Sequence, residues 1–314
     1  MNKNKEAAIF MKHVSKKYKD HLAVDDLSFQ VQKGEIFGLL GPNGAGKTTS
    51  IHLLTGLLQR QQGEIEVLGF DPQKEPRKVR QRIGLVPQTT NIYEDLNAVD
   101  NLLHHAALYC QDLKHIRRKI EETLVLMQLW ERRKDPVRMF SGGMKRRLAL
   151  ARALLHEPEI IFFDEPTLGV DVQGRHTLWE HIQSQKEKGK TFVVSTNDMN
   201  EADRLCERLI ILDHGRQIAM DTPQKLKADL GKDIVNIQTF PVIENPDLMF
   251  TRFSIENISR PANGMLRFEL QDADSQAADL IAVVSKEHQL QSINISRPTL
   301  DDVFLYHTGR ALRE

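Results

Sequence analysis

Apolar and polar side chains alternate over residues 7–32, most regularly at Leu27–Val31. A period of two is typical of strands with one buried face, so this stretch predicts half-buried antiparallel strands. The pattern changes at Ile36–Leu40, a continuous apolar run that predicts a fully buried strand. A helical pattern follows, with apolar side chains at Ile51, Leu53, Leu54, Leu57 and Leu58.

Apolar runs and helical patterns then alternate as far as residue 230. Ile160–Phe163 is four consecutive apolar residues, which is typical of a parallel strand buried on both faces. The longest helical pattern covers residues 97–133. Alternation of strands and helices predicts an α/β fold with a largely parallel sheet. The other predicted strands are residues 64–69, 83–88, 191–195 and 208–212.

The composition changes near Gly231, so we expect two domains, residues 1–230 and 231–314. The pattern over residues 231–314 predicts a small α+β domain, in which a final helix follows Pro298 with Thr299 as its N-cap. Asp301 and Asp302 lie in the first turn of this final helix, and Arg310 and Arg313 lie near its end. The other predicted elements of the domain are short alternating runs at 234–243 and 265–270, a helix at 277–286 and a strand near Ile293.

Composition narrows the functional classes. Lys plus Arg and Asp plus Glu are equal at 43 each, so no net field favours nucleic acid. Cys110 and Cys206 match no metal-ligand spacing and are typical of reduced cytosolic thiols. The start, Met1–Glu6, lacks the apolar core of a signal peptide. No apolar stretch approaches the ~20 residues of a membrane span, so we expect any membrane role to be peripheral.

Gly41–Thr49 fits the phosphate-binding P-loop pattern G-x-x-x-x-G-K-[ST]. It lies between a predicted strand and a predicted helix, as that motif requires. Glycines let successive N–H groups turn toward phosphate oxygens, and the helix N-terminus adds its positive dipole end. Lys47 supplies a point charge for the β- and γ-phosphates, and the Thr48 hydroxyl a ligand for Mg²⁺. The motif predicts a nucleoside triphosphate site formed by Gly41, Pro42, Asn43, Gly44, Ala45, Gly46, Lys47, Thr48 and Thr49.

Two carboxylates, Asp164 and Glu165, end the strand at 160–163. This is the sheet edge at which open α/β sheets bind ligands. Asp164 is suited to hold Mg²⁺ through its water shell, and Glu165 to polarise an attacking water as a general base. Solvated acids at a strand end are the alternative. Gln88 follows another strand, where it could reach the metal or a water, or be an ordinary loop glutamine.

Three further features leave alternatives open. Tyr18 precedes the P-loop in a turn-like segment, where it could stack on a base or cap the core. His104 and His105 are adjacent on a helix and point in different directions, so we expect surface histidines rather than a shared metal site. Ser141-Gly142-Gly143 opens a helix and makes a second anion-ready N-terminus. One nucleotide seldom needs two such phosphate-binding sites in one chain.

In their order, these motifs resemble the ATP-binding subunit of ABC transporters over roughly residues 5–230. The resemblance implies an α/β P-loop NTPase of ABC type: a mostly parallel core sheet, an antiparallel β-subdomain and a helical subdomain at about 90–155. The tail from Arg297 to Phe304, with Thr308–Arg310, is similar to the C-terminal extension of daunorubicin-resistance-type exporter ATPases. The matching residues are Tyr18, the P-loop, Gln88, the signature Ser141-Gly142-Gly143-Met144, Asp164, Glu165, and Asp171 at the D-loop position.

The resemblance also implies partners and a location. Two ATP molecules would be sandwiched in a head-to-tail dimer, each P-loop facing the Ser141-Gly142-Gly143 segment of the other subunit. The chain has one P-loop and one signature, so the partner is another chain, most simply a second copy. Gln88 and residues 90–155 would contact separate membrane-spanning permease subunits. The expected role is drug or lipid-like substrate efflux, from the cytoplasmic face of the plasma (inner) membrane.

Two positions depart from the family pattern. Met144 replaces the usual Gln, a change familiar in the drug-export branch. Asn197 stands where the family has the switch histidine that contacts the γ-phosphate. An amide can donate a hydrogen bond but cannot carry positive charge. Losing one transition-state donor costs about 10²–10³ in rate, so we expect slowed hydrolysis. A hydrolysis-poor regulatory subunit paired with a competent one, or a soluble ABC-type ATPase, are the alternatives.

Overall fold

The computed structural model describes residues 7–107, 113–231, 233–244, 246–250, 255–262, 265–270 and 273–308. Contacts divide the chain into two compact units, one reaching Pro223 and the other beginning at Gln224. No helix in the described ranges is both long and apolar enough to cross a membrane. Several residues considered above lie outside these ranges: Met1–Glu6, Cys110, Gly309, Arg310 and Arg313.

The elements of the first unit alternate largely as the sequence predicts. The strands are β1 (Ala7–Tyr18), β2 (His21–Gln32), β3 (Ile36–Leu40), β4 (Gln62–Val67), β5 (Ile83–Val86), β6 (Ile160–Asp164), β7 (Thr191–Thr196), β8 (Arg208–Asp213) and β9 (Arg216–Asp221). The helices are α1 (Lys47–Leu54), α2 (Pro76–Arg80), α3 (Ala98–Ala106), α4 (Leu113–Leu126), α5 (Gly142–Leu154), α6 (Val172–Glu187) and α7 (Met199–Leu205), and α8 (Pro223–Leu230) begins where the units divide.

Six strands of the described chain form the core sheet, in the order β5-β6-β7-β3-β8-β9. Neighbouring strands are parallel except β8 and β9. Leu40 pairs with Thr196, and Asp164 pairs with Ser195. The carboxyl ends of β3, β5, β6 and β7 therefore meet at one edge, where the P-loop follows β3. The largely parallel sheet predicted from the sequence is confirmed.

A separate antiparallel sheet, ordered β2-β1-β4, flanks the core. Met11 of β1 pairs with Phe29 of β2 and with Ile65 of β4. The Phe29 ring stacks on Phe37 of β3, with ring centroids 5.3 Å apart. Apolar side chains of both sheets and α1 form one buried cluster, which includes Ile9, Val24, Leu27, Val31, Leu39, Ile51, Leu54, Val67, Phe162, Val193 and Ile210. Burial of these side chains is the main source of stability in this unit.

Two helix predictions are wrong in extent. α1 ends at Leu54, before Leu57 and Leu58, because Gly56 adopts a left-handed φ of 68° that ends the helix. Leu57 is 50% exposed, so it is not a core position. The helix expected over 97–133 is two helices, α3 and α4, with a 3₁₀ turn at Trp130–Arg132. Gln128, with a φ of 54°, follows α4 and prevents its continuation.

The second unit has one antiparallel sheet, ordered β11-β12-β10-β13 within the described residues. The N-cap at Thr299 is confirmed, because its hydroxyl accepts a hydrogen bond from the Asp302 amide at 3.2 Å. The strand β11 had no sequence prediction. The elements are β10 (Asp233–Phe240), α9 (Pro246–Met249), β11 (Ile255–Ala262), β12 (Met265–Leu270), α10 (Ala273–Glu287), β13 (Gln289–Ser296) and α11 (Leu300–Thr308), around a core of Val235, Ile237, Phe250, Phe268, Leu280 and Val284.

Candidate active site

The P-loop backbone can be built only with glycine at its tightest points. Gly46 has a φ of 99°, in the region that side chains with a Cβ rarely adopt. A Cβ at Gly46 would lie 2.4 Å from the Ala23 carbonyl oxygen of β2. One at Gly41 would lie 2.2 Å from the Leu212 carbonyl oxygen of β8. The loop is thus held between the two sheets, and α1 begins within the motif, at Lys47.

Lys47 points back into the loop that precedes it. Its Nζ donates to the carbonyl oxygens of Gly41 at 2.7 Å and Pro42 at 3.1 Å. The same Nζ lies 3.6 Å from Glu165 Oε1. Burial lowers the pKa of Lys47, while the charges of Glu165 and Asp164 act to raise it. The loop therefore holds its cation beside the carboxylate pair.

Asp164 and Glu165 have different partners although they are adjacent. The Thr48 hydroxyl donates to Asp164 Oδ1 at 3.1 Å, and the Ser195 hydroxyl donates to the same oxygen. The Gln88 amide donates to Glu165 Oε2 at 2.9 Å. Two predicted site residues, Gln88 and Glu165, are therefore in direct contact across the ends of β5 and β6.

The backbone of Glu165 lies in the left-handed region, with a φ of 50°. For a residue with a Cβ this conformation is costly and persists only when its surroundings fix it. The amide of Glu165 donates to the Ser195 carbonyl oxygen at 3.0 Å, and its carbonyl oxygen accepts from Arg146. The peptide groups on both sides of this residue are thus held by other elements.

A pocket of about 390 Å³ opens over the P-loop, and we call it the P-loop pocket. It brings together residues from β1, β2, the loop, the end of β5 and the end of β6. Tyr18 stands at the end of β1, 42% exposed, and so is available to a ligand. The residues lining it are Tyr18, His21, Ala23, Asn43, Gly44, Ala45, Gly46, Lys47, Thr48, Thr49, Gln88 and Glu165.

The predicted residues of the signature and the D-loop position lie apart from the lining of the P-loop pocket. Ser141 is the N-cap of α5, and its hydroxyl accepts from the Met144 amide at 3.2 Å. Asp171 is the N-cap of α6 and accepts from the Gly174 amide at 2.6 Å. These two caps adjoin, because a Cβ at Gly142 would lie 2.7 Å from the Gly169 carbonyl oxygen. Gly142 is exposed and Gly143 is buried, and neither lines the P-loop pocket.

Asn197 follows β7 directly and is half-buried. It is not among the described residues that line the P-loop pocket. The preceding residue, Thr196, accepts a hydrogen bond from the Gly41 amide at 3.3 Å. Asn197 therefore stands at the sheet edge that carries the P-loop, one strand away from Asp164.

The expectation that His104 and His105 are both surface residues holds for the first only. His104 is exposed and packs edge-on against Tyr93, with ring centroids 4.8 Å apart. His105 is half-buried, and burial lowers its pKa to about 4. It faces the helical interior because α3 packs against α4 and α5. Within the described ranges, no group of three or more His, Cys, Asp or Glu residues could hold a metal.

Sequence reasoning missed two residues of this region. His21 lines the P-loop pocket opposite Tyr18, its partner in the β1–β2 register. Arg146 is 2% exposed and donates to carbonyl oxygens at the ends of β5 and β6. It lies in the basic run Lys145-Arg146-Arg147, a composition typical of a solvated helix face. The helical spacing of Gly143, Arg146 and Leu150, all buried, was the available signal.

Comparisons with known proteins identify the family of this chain. Residues 24–168 match the family described as ABC transporter. The linearmycin resistance ATP-binding protein of Bacillus subtilis (strain 168) is 36% identical over 307 residues, covering 96% of this chain and 98% of the relative. The chain belongs to the ABC transporter ATP-binding proteins. The resemblance inferred from the motifs is thereby confirmed.

Other relatives extend the likeness over both units of this ABC protein. A Nod factor export ATP-binding protein I of Cupriavidus metallidurans is 37% identical, over 98% of this chain and 99% of the relative. Residues 222–308 match the family described as ATP-binding protein DrrA1-3-like, C-terminal domain. The similarity to exporter-type ATPases with a C-terminal extension is confirmed by this second match.

Solved structures confirm the predicted ABC fold of the first unit. An ATP-binding subunit of an ABC transporter superposes with a TM-score of 0.64 at 31% identity, covering 71% of this chain and 92% of that one. A dimeric bacterial ABC transporter cassette superposes with a TM-score of 0.61 at 30% identity, covering 68% and 98%. The P-loop pocket therefore lies in a unit that has the fold of an ABC cassette.

The donors of this ABC cassette fit a magnesium nucleotide. Glycine at positions 44 and 46 gives the positive φ angles that turn the loop's N–H groups toward an anion. α1 has no acidic residue in its first turn to compete with phosphate. Thr48 and Asp164 supply neighbouring oxygen atoms. The side chain of Gln88 contacts Glu165 through its amide nitrogen and also carries an amide oxygen. Hydroxyl, carboxylate and amide oxygens are ligands that Mg²⁺ accepts.

Proposed function

We propose that this chain is the ATP-hydrolysing subunit that powers a separate membrane-spanning exporter. The observation that carries the proposal is the convergence of Lys47, Gln88 and Glu165 in one pocket beside the P-loop. A cation for phosphate, a carboxylate base and an amide that orients it are the parts that phosphoryl transfer to water needs. Mg²⁺, when held by Thr48, Asp164 and Gln88, would neutralise charge that develops on the phosphates.

In this proposal the contacts of Lys47 change with the nucleotide. Phosphate oxygens would replace the carbonyl oxygens of Gly41 and Pro42 and the Glu165 carboxylate as partners of Nζ. Glu165 would then accept a proton from a water, while that water's oxygen attacks the γ-phosphorus. The bond from the γ-phosphorus to the bridging oxygen breaks, and ADP leaves with those electrons. Gln88 fixes Glu165 through its amide during this step.

In this proposal, the exposed signature residues and the neighbouring Asp171 contact a second subunit. Ser141, Gly142 and Asp171 are exposed and lie outside the P-loop pocket. Two apolar side chains beside them, Leu168 at 56% and Val172 at 72% exposure, supply area that a partner would cover. A head-to-tail homodimer would place each Ser141 N-cap against the other subunit's ATP. A solved bacterial ABC transporter cassette that the first unit resembles is likewise dimeric.

The transport role rests on the relatives. One is named for Nod factor export and another for linearmycin resistance. We infer efflux of a drug or lipid-like substrate through permease subunits on other chains, with this chain at the cytoplasmic face of the plasma (inner) membrane. Gln88 and residues of 90–155 that the structure describes would form the permease contact. A second candidate, a hydrolysis-poor regulatory subunit paired with a competent one, is favoured by Asn197 alone.

Binding of a fluorescent ATP analogue and phosphate release by the full chain test the proposal. Lys47→Ala should abolish binding, because it removes the buried cation of the loop. Glu165→Gln should retain binding within about twofold and lose about 10²–10³ in turnover. Lys78→Ala removes a lysine that pairs only with surface Glu75 among the described ion pairs, and should match wild type.

Absence of ATP binding by the wild type would overturn the proposal, and full turnover of Glu165→Gln would remove that residue as base. Fractionation of native cells that express the tagged chain distinguishes a transporter subunit from a soluble ATPase. A transporter subunit should sediment with membranes and be released by alkaline carbonate. Recovery of the whole pool in the supernatant would favour the soluble ATPase instead.

A further inference from the structure

Arg146 makes an unusually large number of backbone contacts for one side chain. Its Nε donates to the Pro166 carbonyl oxygen at 2.8 Å. Its Nη1 donates to the carbonyl oxygens of Pro87 at 2.8 Å and Gln88 at 3.0 Å. Its Nη2 donates to the Asp164 carbonyl oxygen at 2.7 Å and also to that of Glu165. One guanidinium therefore joins α5 to the segments that follow β5 and β6.

The chemistry of this contact set requires arginine. Five carbonyl oxygens on two strand ends are reached by a planar fork with five N–H donors. Burial lowers the pKa of Arg146 to about 10, against the nearby charges of Asp164, Glu201 and Glu165, so the group stays cationic at neutral pH. A buried cation without these acceptors would be strongly destabilised, which makes the contacts obligatory.

The contacts fall on the residues that the proposed mechanism uses. Arg146 holds the carbonyl oxygen of Glu165, whose backbone is in the left-handed region, and the carbonyl oxygen of Gln88, whose amide contacts Glu165. Arg146 also lies little more than one turn after Ser141, the exposed N-cap of the same helix. Arg146 therefore links the helix that begins after Ser141 to the backbone of Gln88 and Glu165.

We propose that Arg146 is a positioning residue that couples the signature segment of each subunit to the hydrolytic residues of its own ATP site. The inference rests on the proposed function, because the signature segment is taken to contact the nucleotide of the partner subunit. Ser141 of one subunit would contact the ATP that the partner subunit holds. Through Arg146, that contact would set the Gln88–Glu165 geometry in the first subunit's own ATP site. The two sites would respond to ATP together rather than independently.

The adjacent arginine provides a matched control. Arg147 is on the same helix and half-buried, and its Nη1 donates to the Met127 carbonyl oxygen, just past the end of α4, at 3.0 Å. Its described hydrogen bond therefore stays within the helical part and does not reach β5 or β6. Substituting glutamine at 146 or 147 removes the same charge and the same volume, so the two variants differ in the contacts and the burial of the arginine that is lost.

The experiment uses the full chain and compares wild type with Arg146→Gln, Arg146→Lys and Arg147→Gln. Three quantities are measured: Kd for a fluorescent ATP analogue, kcat for phosphate release, and the Hill coefficient for ATP. Arg146→Gln should keep Kd within about twofold, lower kcat about 10- to 100-fold and bring the Hill coefficient to 1. Arg146→Lys should fall between, since one ammonium reaches fewer carbonyl oxygens. Arg147→Gln should match wild type.

Wild-type kcat and Hill coefficient in Arg146→Gln would overturn the inference while leaving the proposed function intact. A wild-type Hill coefficient of 1 would overturn it as well. If Arg146→Gln does not fold, judged by loss of ATP binding, Arg146→Lys decides: reduced kcat with unchanged Kd supports the inference, and wild-type behaviour overturns it. A wild-type chain that binds no ATP would overturn the proposed function and this inference together.

Discussion

At the scale of single residues, Asn197 stands where the motif resemblance implies a switch histidine. It follows Thr196, whose carbonyl oxygen accepts the amide of Gly41, and so stands at the sheet edge that holds the P-loop. An asparagine amide can donate one hydrogen bond to a phosphate oxygen. It cannot hold a positive charge or pass a proton, as an imidazole can. The proposed reaction would thus have one stabilising group fewer.

Asn197→His should raise kcat by about 10-fold or more while leaving the affinity for ATP within about twofold, because the imidazole adds a donor that acts mainly in the transition state. Steady-state phosphate release measures the change. Asn200→His, an exposed position in the first turn of α7, controls for adding a histidine nearby. Equal rates in wild type and Asn197→His would mean that this position does not limit the reaction.

Sequence reasoning is strongest where chemistry depends on a local motif. Lys47 and Thr48 are fixed by the loop that carries them, and Asp164 and Glu165 by their place at a strand end. Arg146 escapes such reasoning because its contacts come from residues 18 to 59 positions away. Its charge also suggests a solvated helix face. Only the packing of α5 against two strand ends reveals its role.

At the scale of elements, an ion pair closes the two ends of β4. Arg60 before the strand donates from Nη1 and Nη2 to the Asp71 carboxylate, at 2.8 and 2.6 Å. Arg60 Nε also donates to the Gly63 carbonyl oxygen at 2.9 Å. The hydrogen bonds from Arg60 are the main cause that lowers the pKa of Asp71 to about 2. Bidentate geometry makes this pair stronger than an ordinary surface pair.

Asp71→Asn should lower the free energy of unfolding by about 1–2 kcal/mol at pH 7, after allowance for partial exposure. The folded-state pKa is depressed, so the stabilisation is present above the ordinary value of 3.8 and is lost as pH falls toward about 2. Urea titrations followed by tryptophan fluorescence report on this unit, since Trp130 and Trp179 both lie in it. Glu66→Gln, an exposed change on β4, is the control. A difference between Asp71→Asn and wild type that is constant from pH 7 to pH 2 would contradict this account.

The sequence predicts element type better than element length. Hydrophobic pattern identifies β3, β6, β7 and β8, since a short continuous apolar run is typical of a strand buried on both faces. Period alone extends α1 through Leu58, because a single left-handed glycine at position 56 does not alter the apolar spacing. β11 has no clear alternation, and its pairing with β12 depends on a partner strand that lies later in the chain. Element ends are set by backbone conformation and pairing, which the side-chain pattern does not encode.

At the scale of the whole molecule, the proposed function divides each nucleotide site into two half-sites on different chains. The P-loop pocket lacks a signature segment among its lining residues, and the exposed caps at Ser141 and Asp171 lie apart from it. Each half-site presents groups that suit one side of a polyphosphate. A second copy, placed head to tail, would complete both nucleotide sites at once. This is the reason for proposing a dimer with two-fold symmetry.

Glu165→Gln with saturating MgATP should have twice the mass of one chain in light scattering, because the nucleotide stays intact between the half-sites. The same variant without nucleotide should have the mass of a single chain. Adding Ser141→Arg, which places a bulky side chain at the exposed cap, should prevent the mass increase while ATP binding to the P-loop pocket persists. A single-chain mass for Glu165→Gln under saturating ATP would contradict the paired arrangement.

The left-handed backbone at Glu165 has a consequence for how this protein can evolve. That conformation costs about 1–3 kcal/mol for a residue with a Cβ, and glycine at the same place would recover it. The carboxylate would be lost in the same change. Under the proposed role of Glu165 as base, relief of backbone strain and turnover make opposite demands on this position. Glycine there would also remove the carboxylate contacts to Lys47 and Gln88.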